Sequence, residues 1–128
     1  MHKIKKYEVL LFSVFRIFVG LLFMQHGAQK LFGWFGGNSV GLFSLMGAAG
    51  VIEFFGGLLL VVGLFTRPVA LIAALEMLVA YFKAHFPSGF IPLMNKGELA
   101  LLFFACFLVL LVYGANKFSL DALWFKKE

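Results

Sequence analysis

The chain has 128 residues, of which 62% are hydrophobic and 13% are charged, and its net charge is +5. Soluble domains carry about 25% charged residues, so this composition excludes an ordinary soluble domain. It predicts an all-α membrane protein, with one transmembrane domain over residues 1–128 and the lipid bilayer as its surroundings. The positive charge does not indicate a nucleic-acid partner, because membrane proteins collect Lys and Arg in their cytoplasmic segments.

The first apolar stretch, residues 9–32, is long enough to cross a hydrocarbon core about 30 Å thick. Arg16, His26 and Lys30 lie on one side of its helical wheel, together with two glycines. A charge near the middle of a span costs on the order of 2.5–3.5 kcal/mol unless a neighbour compensates it. We therefore expect this side to pack against other helices and the opposite side to face lipid.

Three further spans are predicted at residues 42–65, 69–86 and 97–113. A glycine-rich connector precedes the second span, and residues 66–68 form a short turn into the third. Pro87 interrupts the helix before the fourth span. Short connections between neighbouring spans favour an antiparallel four-helix transmembrane bundle.

The tail, residues 117–128, predicts a short C-terminal helix lying at the membrane interface. Ser119 or Asp121 would cap this helix, and an apolar side would face the bilayer. The apolar side consists of Leu120, Leu123, Trp124 and Phe125, followed by Lys126 and Lys127.

Lysine and arginine residues outside the spans are distributed unequally between the two sides of the predicted bundle. The side with both termini carries Lys3, Lys5, Lys6, Arg67, Lys117, Lys126 and Lys127. The other side carries Lys30, Lys83 and Lys96. By the positive-inside rule, we expect a multi-pass membrane protein with both termini in the cytoplasm.

Ionisable residues inside the spans form two predicted layers. In the middle layer we expect Arg16 to form a buried ion pair with Glu53, and Glu76 is the alternative partner. Gly56 and Gly57 lie on the same side of the second helix as Glu53, which makes that side a packing face. This face would serve either the bundle itself or a homo-oligomer.

The outer layer consists of His26, Lys30, His85 and Glu98, which come from three predicted helices. Imidazole, ammonium and carboxyl groups in one pocket could hydrogen-bond a quinone headgroup and exchange protons with it. We favour a quinone over haem, and we predict no metal site. On an unbroken helix His85 points away from Glu76, so either the third helix deforms before Pro87 or these two residues serve different surfaces.

An ordered series of short motifs extends along nearly the whole chain. It comprises Arg16 with Gly20, residues 26–32 (HGAQKLF), Glu53 with Gly56, Gly57 and Leu60, residues 63–67 (GLFTR), His85, residues 97–102 (GELALL) and residues 119–121 (SLD). In this order the motifs resemble the DoxX family of small bacterial membrane proteins. The resemblance implies a four-helix inner-membrane protein similar to subunits of a thiosulfate:quinone oxidoreductase and terminal oxidase system, linked to membrane redox complexes and oxidative stress.

Three functions follow from these observations. The first is a quinone-interacting component of a membrane redox system, either non-catalytic or a partner-dependent subunit of a quinone-linked oxidoreductase. It would require a redox partner protein, because the sequence contains no CxxC, CxxCH or glycine-rich dinucleotide motif. The alternatives are a small proton-coupled transporter, in which Glu53 or Glu76 carries the proton, and a membrane scaffold that assembles a redox complex.

Overall fold

The computed structural model describes residues 2–125, and the regular elements in this range are all helices. Lys126 and Lys127, which we placed at the end of the interfacial helix, lie outside the described residues. The predicted all-α fold class is confirmed. The helices are α1 (His2–Lys5), α2 (Glu8–Phe32), α3 (Leu45–Val62), α4 (Thr66–Ala80), α5 (Pro92–Asn95), α6 (Glu98–Tyr113) and α7 (Leu120–Phe125), and α4 continues as a π-helix (Tyr81–His85) and a 3-10 turn (Phe86–Ser88).

Three helical segments in the described part of the chain are long and apolar enough to cross a membrane, namely Glu8–Phe32, Leu45–Val62 and Thr66–Ser88. Helix α6 is also apolar, but its 16 residues extend only about 24 Å at 1.5 Å per residue. Large apolar side chains, including Phe18 and Leu102, are more than 60% exposed on the outer faces of these helices. Such extensive apolar exposure is typical of helices whose solvent is lipid, so the structure is a helical membrane bundle.

The long helices alternate in direction, which gives the bundle two distinct ends. We call the end where α2 begins and α6 finishes the terminal end, because the chain enters the bundle and leaves it there. The opposite end, which carries the connections 33–44 and 89–97, is the loop end. Helices α3 and α4 meet at the terminal end through the tight turn 63–65, where Gly63 has a φ of 71° and closes α3.

Helices α2 and α3 pack closely because glycines on both helices remove the side chains that would hold them apart. A Cβ atom at Gly27 would collide with the Phe54 backbone nitrogen. A Cβ atom at Gly57 would lie 2.5 Å from the Gly20 carbonyl oxygen. Backbones approach this closely in membranes when small residues line the contact. The predicted glycine-bearing packing face is therefore used within the bundle.

Helices α4 and α6 complete the bundle through an aromatic and aliphatic core. The Phe23 ring of α2 lies 4.7 Å from the Phe107 ring of α6, edge to face. Leu60 of α3 and Ala73 of α4 are fully buried in the same cluster. The small alanine lets α4 approach the phenylalanine-rich face of α6, so large and small side chains alternate across the core.

The Arg16 side chain is 1% exposed and binds backbone carbonyl groups at the terminal end of the bundle. Its Nε donates to the Leu60 oxygen at 2.9 Å, and its Nη2 donates to the Val61 oxygen at 3.4 Å. The same Nη2 donates to the Phe118 oxygen at 2.8 Å, and Nη1 donates to the Ala115 oxygen. One guanidinium therefore joins the last turn of α3 to the segment that follows α6.

The expected ion pair between Arg16 and Glu53 or Glu76 is wrong. Arg16 lies at the level of the last turn of α3, where the carbonyl groups carry partial negative charge, and the Leu60 oxygen that it binds also accepts from the Gly63 backbone nitrogen at 3.2 Å. Glu53 lies two turns before Leu60 in α3, nearer the loop end of the bundle. The Arg16 guanidinium therefore donates its hydrogen bonds to backbone carbonyl groups at the terminal end of the bundle.

The segment after α6 stays at the terminal end and caps α4. The Asp121 carboxylate accepts hydrogen bonds from the backbone nitrogens of Phe65 at 2.7 Å and Thr66 at 2.9 Å. The Asp121 backbone nitrogen donates to the Gly63 oxygen at 2.9 Å. The Ser119 hydroxyl caps α7 itself. The sequence offered Ser119 and Asp121 as caps of the C-terminal helix. Ser119 caps that helix, whereas Asp121 caps α4.

Replacing Gly57 with alanine is expected to destabilise the bundle by about 1–3 kcal/mol, because the new methyl group would overlap the α2 backbone. Thermal unfolding in detergent would measure the change. The matched control is Gly56→Ala on the same helix, where a Cβ atom would meet the Val69 and Phe23 side chains at ordinary distances of 3.5 Å and 3.7 Å. Equal unfolding temperatures for the two variants would contradict this account of the α2–α3 contact.

Replacing Arg16 with methionine is expected to lower the free energy of unfolding by about 2 kcal/mol or more, because the carbonyl groups of Leu60 and Phe118 lose a charged hydrogen-bond donor. Urea or SDS titration in mixed micelles would measure the loss. The control is Arg67→Met, since the Arg67 side chain is exposed and its hydrogen bond within residues 2–125 goes to the Val112 oxygen. An Arg16 variant as stable as the Arg67 variant would show that the carbonyl contacts contribute little.

Candidate functional site

A cavity of about 260 Å³ lies between the helices, toward the loop end of the bundle. Each of the long helices and the segment before α6 contributes to its wall. The polar residues that line it are His26, Lys30, Glu53, His85 and Lys96, and the apolar residues are Phe23, Met77, Ala80, Leu99, Ala100 and Phe103. The cavity therefore combines cationic and acidic groups with apolar walls, inside a protein whose outer surface faces lipid.

The strongest polar contact in the cavity is an ion pair between α2 and α3. Lys30 Nζ lies 2.6 Å from Glu53 Oε1, and the two side chains are 20% and 3% exposed. Lys30 is in the last turn of α2, where a lysine usually extends outward to water. Here the absence of a side chain at Gly50 leaves room for Lys30 to lie against α3. The ammonium group consequently turns inward to the buried carboxylate.

The Glu76 carboxyl group of α4 lies beside the Glu53 carboxyl group, within hydrogen-bonding reach. Its Oε1 atom is buried and has no hydrogen-bond donor among the described residues. Lys30 is also close enough to act on Glu76 electrostatically. The interior thus holds two neighbouring acids and one ammonium group.

His26 projects from α2 into the cavity and is partly buried. Its imidazole ring lies 5.8 Å from the Phe103 ring, edge to face. Glu53 and Lys30 both lie near enough to affect its charge. His26 therefore lies between the aromatic wall of α6 and the ion pair, where it can donate or accept a proton.

His85 reaches the cavity because the third transmembrane segment changes its helical pitch. Residues Tyr81–His85 form a π-helix, in which the Phe86 backbone nitrogen donates to the Tyr81 oxygen five residues earlier. Pro87 follows directly, and its ring and missing N–H disfavour a continued α-helix. The wider turn rotates His85 relative to its position on an α-helix. Of the two interpretations left open by the sequence, the deformed helix is the one observed.

Asn95 holds the loop-end segment over the cavity. Its side chain is 4% exposed, and Nδ2 donates to the Tyr81 hydroxyl at 3.0 Å and to the Gly89 oxygen at 2.9 Å. Its Oδ1 accepts from the Gly97 backbone nitrogen at 2.8 Å. The neighbouring Lys96 has a φ of 65° and lines the cavity. The three hydrogen bonds of the Asn95 side chain thus fix the backbone on both sides of Lys96.

Three of the four predicted outer-layer residues, His26, Lys30 and His85, line the same cavity. Glu98 does not line it, and its side chain is exposed at the start of α6. Helix α6 turns Leu99 and Phe103 toward the cavity, and Glu98 therefore faces outward.

Glu53 and Lys96 take part in the cavity as well, although the sequence analysis placed Glu53 in another layer and Lys96 in a flanking segment. The signal for Lys96 was its position between Asn95 and Gly97, a pair that favours a turn. Within residues 2–125, no group of three His, Cys, Asp or Glu side chains is arranged to hold a metal ion.

The fold and the cavity define this protein as a small helical membrane protein with an ionisable interior. The DoxX family model matches residues 11–86. An uncharacterized protein of Haemophilus influenzae is 39% identical over 134 residues, an alignment that covers 99% of this chain and 100% of the relative. The chain therefore belongs to the DoxX family, as its motifs predicted. No solved structure matches it significantly.

Proposed function

We propose that this DoxX family protein is a quinone-interacting component of a membrane redox system. The observation that carries the proposal is the cavity itself, in which His26, His85 and Lys96 meet the aromatic wall formed by Phe23 and Phe103. Binding sites for small ligands combine apolar walls with a few convergent polar groups in this way. A membrane-embedded protein encounters its lipophilic ligands in the bilayer.

The donor set fits the chemistry of a quinone headgroup. A quinone presents two carbonyl oxygens on a flat apolar ring, and when bound it supplies two-electron, two-proton redox chemistry. Lys96 and the histidines can donate hydrogen bonds to such oxygens, while Phe103 and Phe23 offer aromatic surfaces to the ring. A volume of about 260 Å³ suits a headgroup, whose apolar tail would remain in lipid.

The proposal includes a redox partner protein. The polar side chains of the cavity are imidazole, ammonium and carboxyl groups, which exchange protons but do not carry electrons. Electrons would therefore pass between the quinone and a second protein. In that role the chain is a partner-dependent subunit that binds the quinone and manages its protons.

A small proton-coupled transporter is the second candidate function. The observation that favours it is Glu76, a membrane acid whose buried Oε1 lacks a hydrogen-bond donor among the described residues. Ionisable groups in such positions commonly belong to proton pathways. Proton-driven uptake or efflux in vesicles, abolished by Glu53→Gln, would favour this candidate over quinone binding.

Loss of the Lys96 ammonium group is expected to weaken the binding of a short-chain quinone at least about tenfold, because a hydrogen bond from a charged donor contributes about 1.5–3 kcal/mol. Isothermal titration of Lys96→Gln in detergent micelles would measure the dissociation constant, and His26→Leu would provide a second cavity variant. The matched control is Lys83→Gln, because Lys83 is exposed and lies outside the cavity wall.

The quinone proposal fails if the wild-type protein, folded in detergent or vesicles, binds no quinone. It also fails if the Lys96 and Lys83 variants bind equally well. Extraction and mass spectrometry of lipids that copurify with the protein from its native membrane would identify the headgroup class independently of any added quinone.

We also propose that the protein resides in the bacterial inner membrane with both termini in the cytoplasm. Exposed Lys3, Lys5, Lys6, Arg67 and Lys117 lie at or beyond the terminal end, which supports this orientation by the positive-inside rule. A fluorescent protein fused to the C-terminus should fold and fluoresce, whereas alkaline phosphatase at the same point should be inactive. Active phosphatase there would reverse the proposed orientation.

A further inference from the structure

Ionisable groups on three helices form a chain that begins at the cavity wall. Lys30 of α2 contacts Glu53 of α3 at 2.6 Å, and the Glu76 carboxyl group of α4 lies beside Glu53. Glu53 is 2% exposed as a residue, so its carboxyl group is almost completely removed from the surface. Lys30 and Glu53 line the cavity wall, whereas Glu76 is not among the lining residues.

The charges of this chain of groups do not balance if every group is ionised. Lys30 supplies one positive charge, whereas Glu53 and Glu76 together would supply two negative charges. Of the other ionisable neighbours, His26 of α2 lies near the ion pair, and Lys96 lines the cavity outside α6. The cavity-lining residues of α6 itself are Leu99, Ala100 and Phe103, which carry no charge. Arg16 is engaged with carbonyl groups at the terminal end.

Two adjacent carboxylates with a single ammonium partner are unfavourable in a low-dielectric interior. A proton placed between them removes the excess charge and converts one acid into a hydrogen-bond donor for the other. That hydrogen bond would account for the position of the Glu76 carboxyl group next to Glu53, where no other donor serves its buried Oε1 among the described residues.

We propose that Glu53 and Glu76 hold one shared proton, and that this proton exchanges with the cavity through the Lys30–Glu53 wall. The acid pair is then a proton-binding site within the membrane. With the proton bound, the two acids and Lys30 together are neutral. Without the proton, the same three groups carry one negative charge. Glu76 stores the proton, and Glu53 connects it to the cavity.

The use of this proton on a quinone rests on the proposed function. Reduction of a quinone consumes two electrons, which the redox partner would supply, and two protons, which form one O–H bond at each carbonyl oxygen. The acid pair would release one proton toward the cavity and be reprotonated from water at the loop end. Water at the same end would supply the second proton.

Infrared spectroscopy of the full chain in lipid vesicles tests the shared proton directly, because a protonated carboxyl group has a carbonyl stretch distinct from that of a carboxylate. At neutral pH the wild-type protein is expected to show this band. In Glu76→Gln the amide can still donate to Glu53, and the band should disappear. In Lys30→Met the loss of the ammonium group should favour a second bound proton, and the band should grow about twofold.

Glu98→Gln is the matched control, because Glu98 is an exposed acid outside the cavity and its replacement should leave the band unchanged. Transfer into D₂O should shift the wild-type band if the proton exchanges. Absence of the band in the wild type, or its survival in Glu76→Gln, would overturn the proposal, and a band that does not shift in D₂O would refute exchange. Thermal unfolding of each variant verifies that it is folded. If Lys30→Met does not fold, the nearly isosteric Glu76→Gln still provides the test.

The same samples separate this inference from the proposed function. A carboxyl band that behaves as expected in a protein that binds no short-chain quinone would leave the proton site standing and remove the quinone. Quinone binding by a wild-type protein that lacks the carboxyl band would support the quinone site and remove the shared proton.

Discussion

A single buried guanidinium connects the parts of this chain that are most distant in sequence. Arg16 binds the carbonyl groups of Leu60, Ala115 and Phe118, and thereby joins α2 to the end of α3 and to the segment after α6. In hydrocarbon a charge without partners is costly, and so is a carbonyl group without a donor. One contact removes both costs. Arg16 thus holds the terminal end of the bundle together, whereas the cavity lined by His26, Lys30 and Glu53 lies toward the loop end.

The glycine contacts between α2 and α3 have a chemical consequence as well as a structural one. Because Gly50 carries no side chain, Lys30 can lie along α3 and reach Glu53. A lysine that would otherwise extend to the membrane surface becomes the counterion of an acid inside the bundle. Close backbone packing and the ionisable interior are thus two results of the same set of small residues. The proposed quinone and proton sites both depend on this geometry.

Much of the candidate site could be predicted from residue type and depth, but its exact membership could not. His26, Lys30 and His85 were placed in one layer by counting along helices, and they line one cavity. Glu98 has a suitable depth, but the rotation of α6 turns it outward. Depth follows from position along a span, whereas rotation depends on which residues of α6 fill the core, and Phe103 and Phe107 occupy that face. A local change to π-helical pitch, also invisible to a regular wheel, brings His85 to the cavity.

The sequence by itself determined the solvent of this protein, its helical class, its family and the presence of costly ionisable groups inside its spans. Hydropathy and motif order depend only on the order of residues along the chain, and they are sufficient for those conclusions. The tertiary structure decided which partner each charge received. Arg16 binds carbonyl groups where an acid was expected, and Lys30 takes the place of that arginine beside Glu53. Partner choice depends on the distance between helices and on side-chain reach, and both are set only when the glycine faces of α2 and α3 meet.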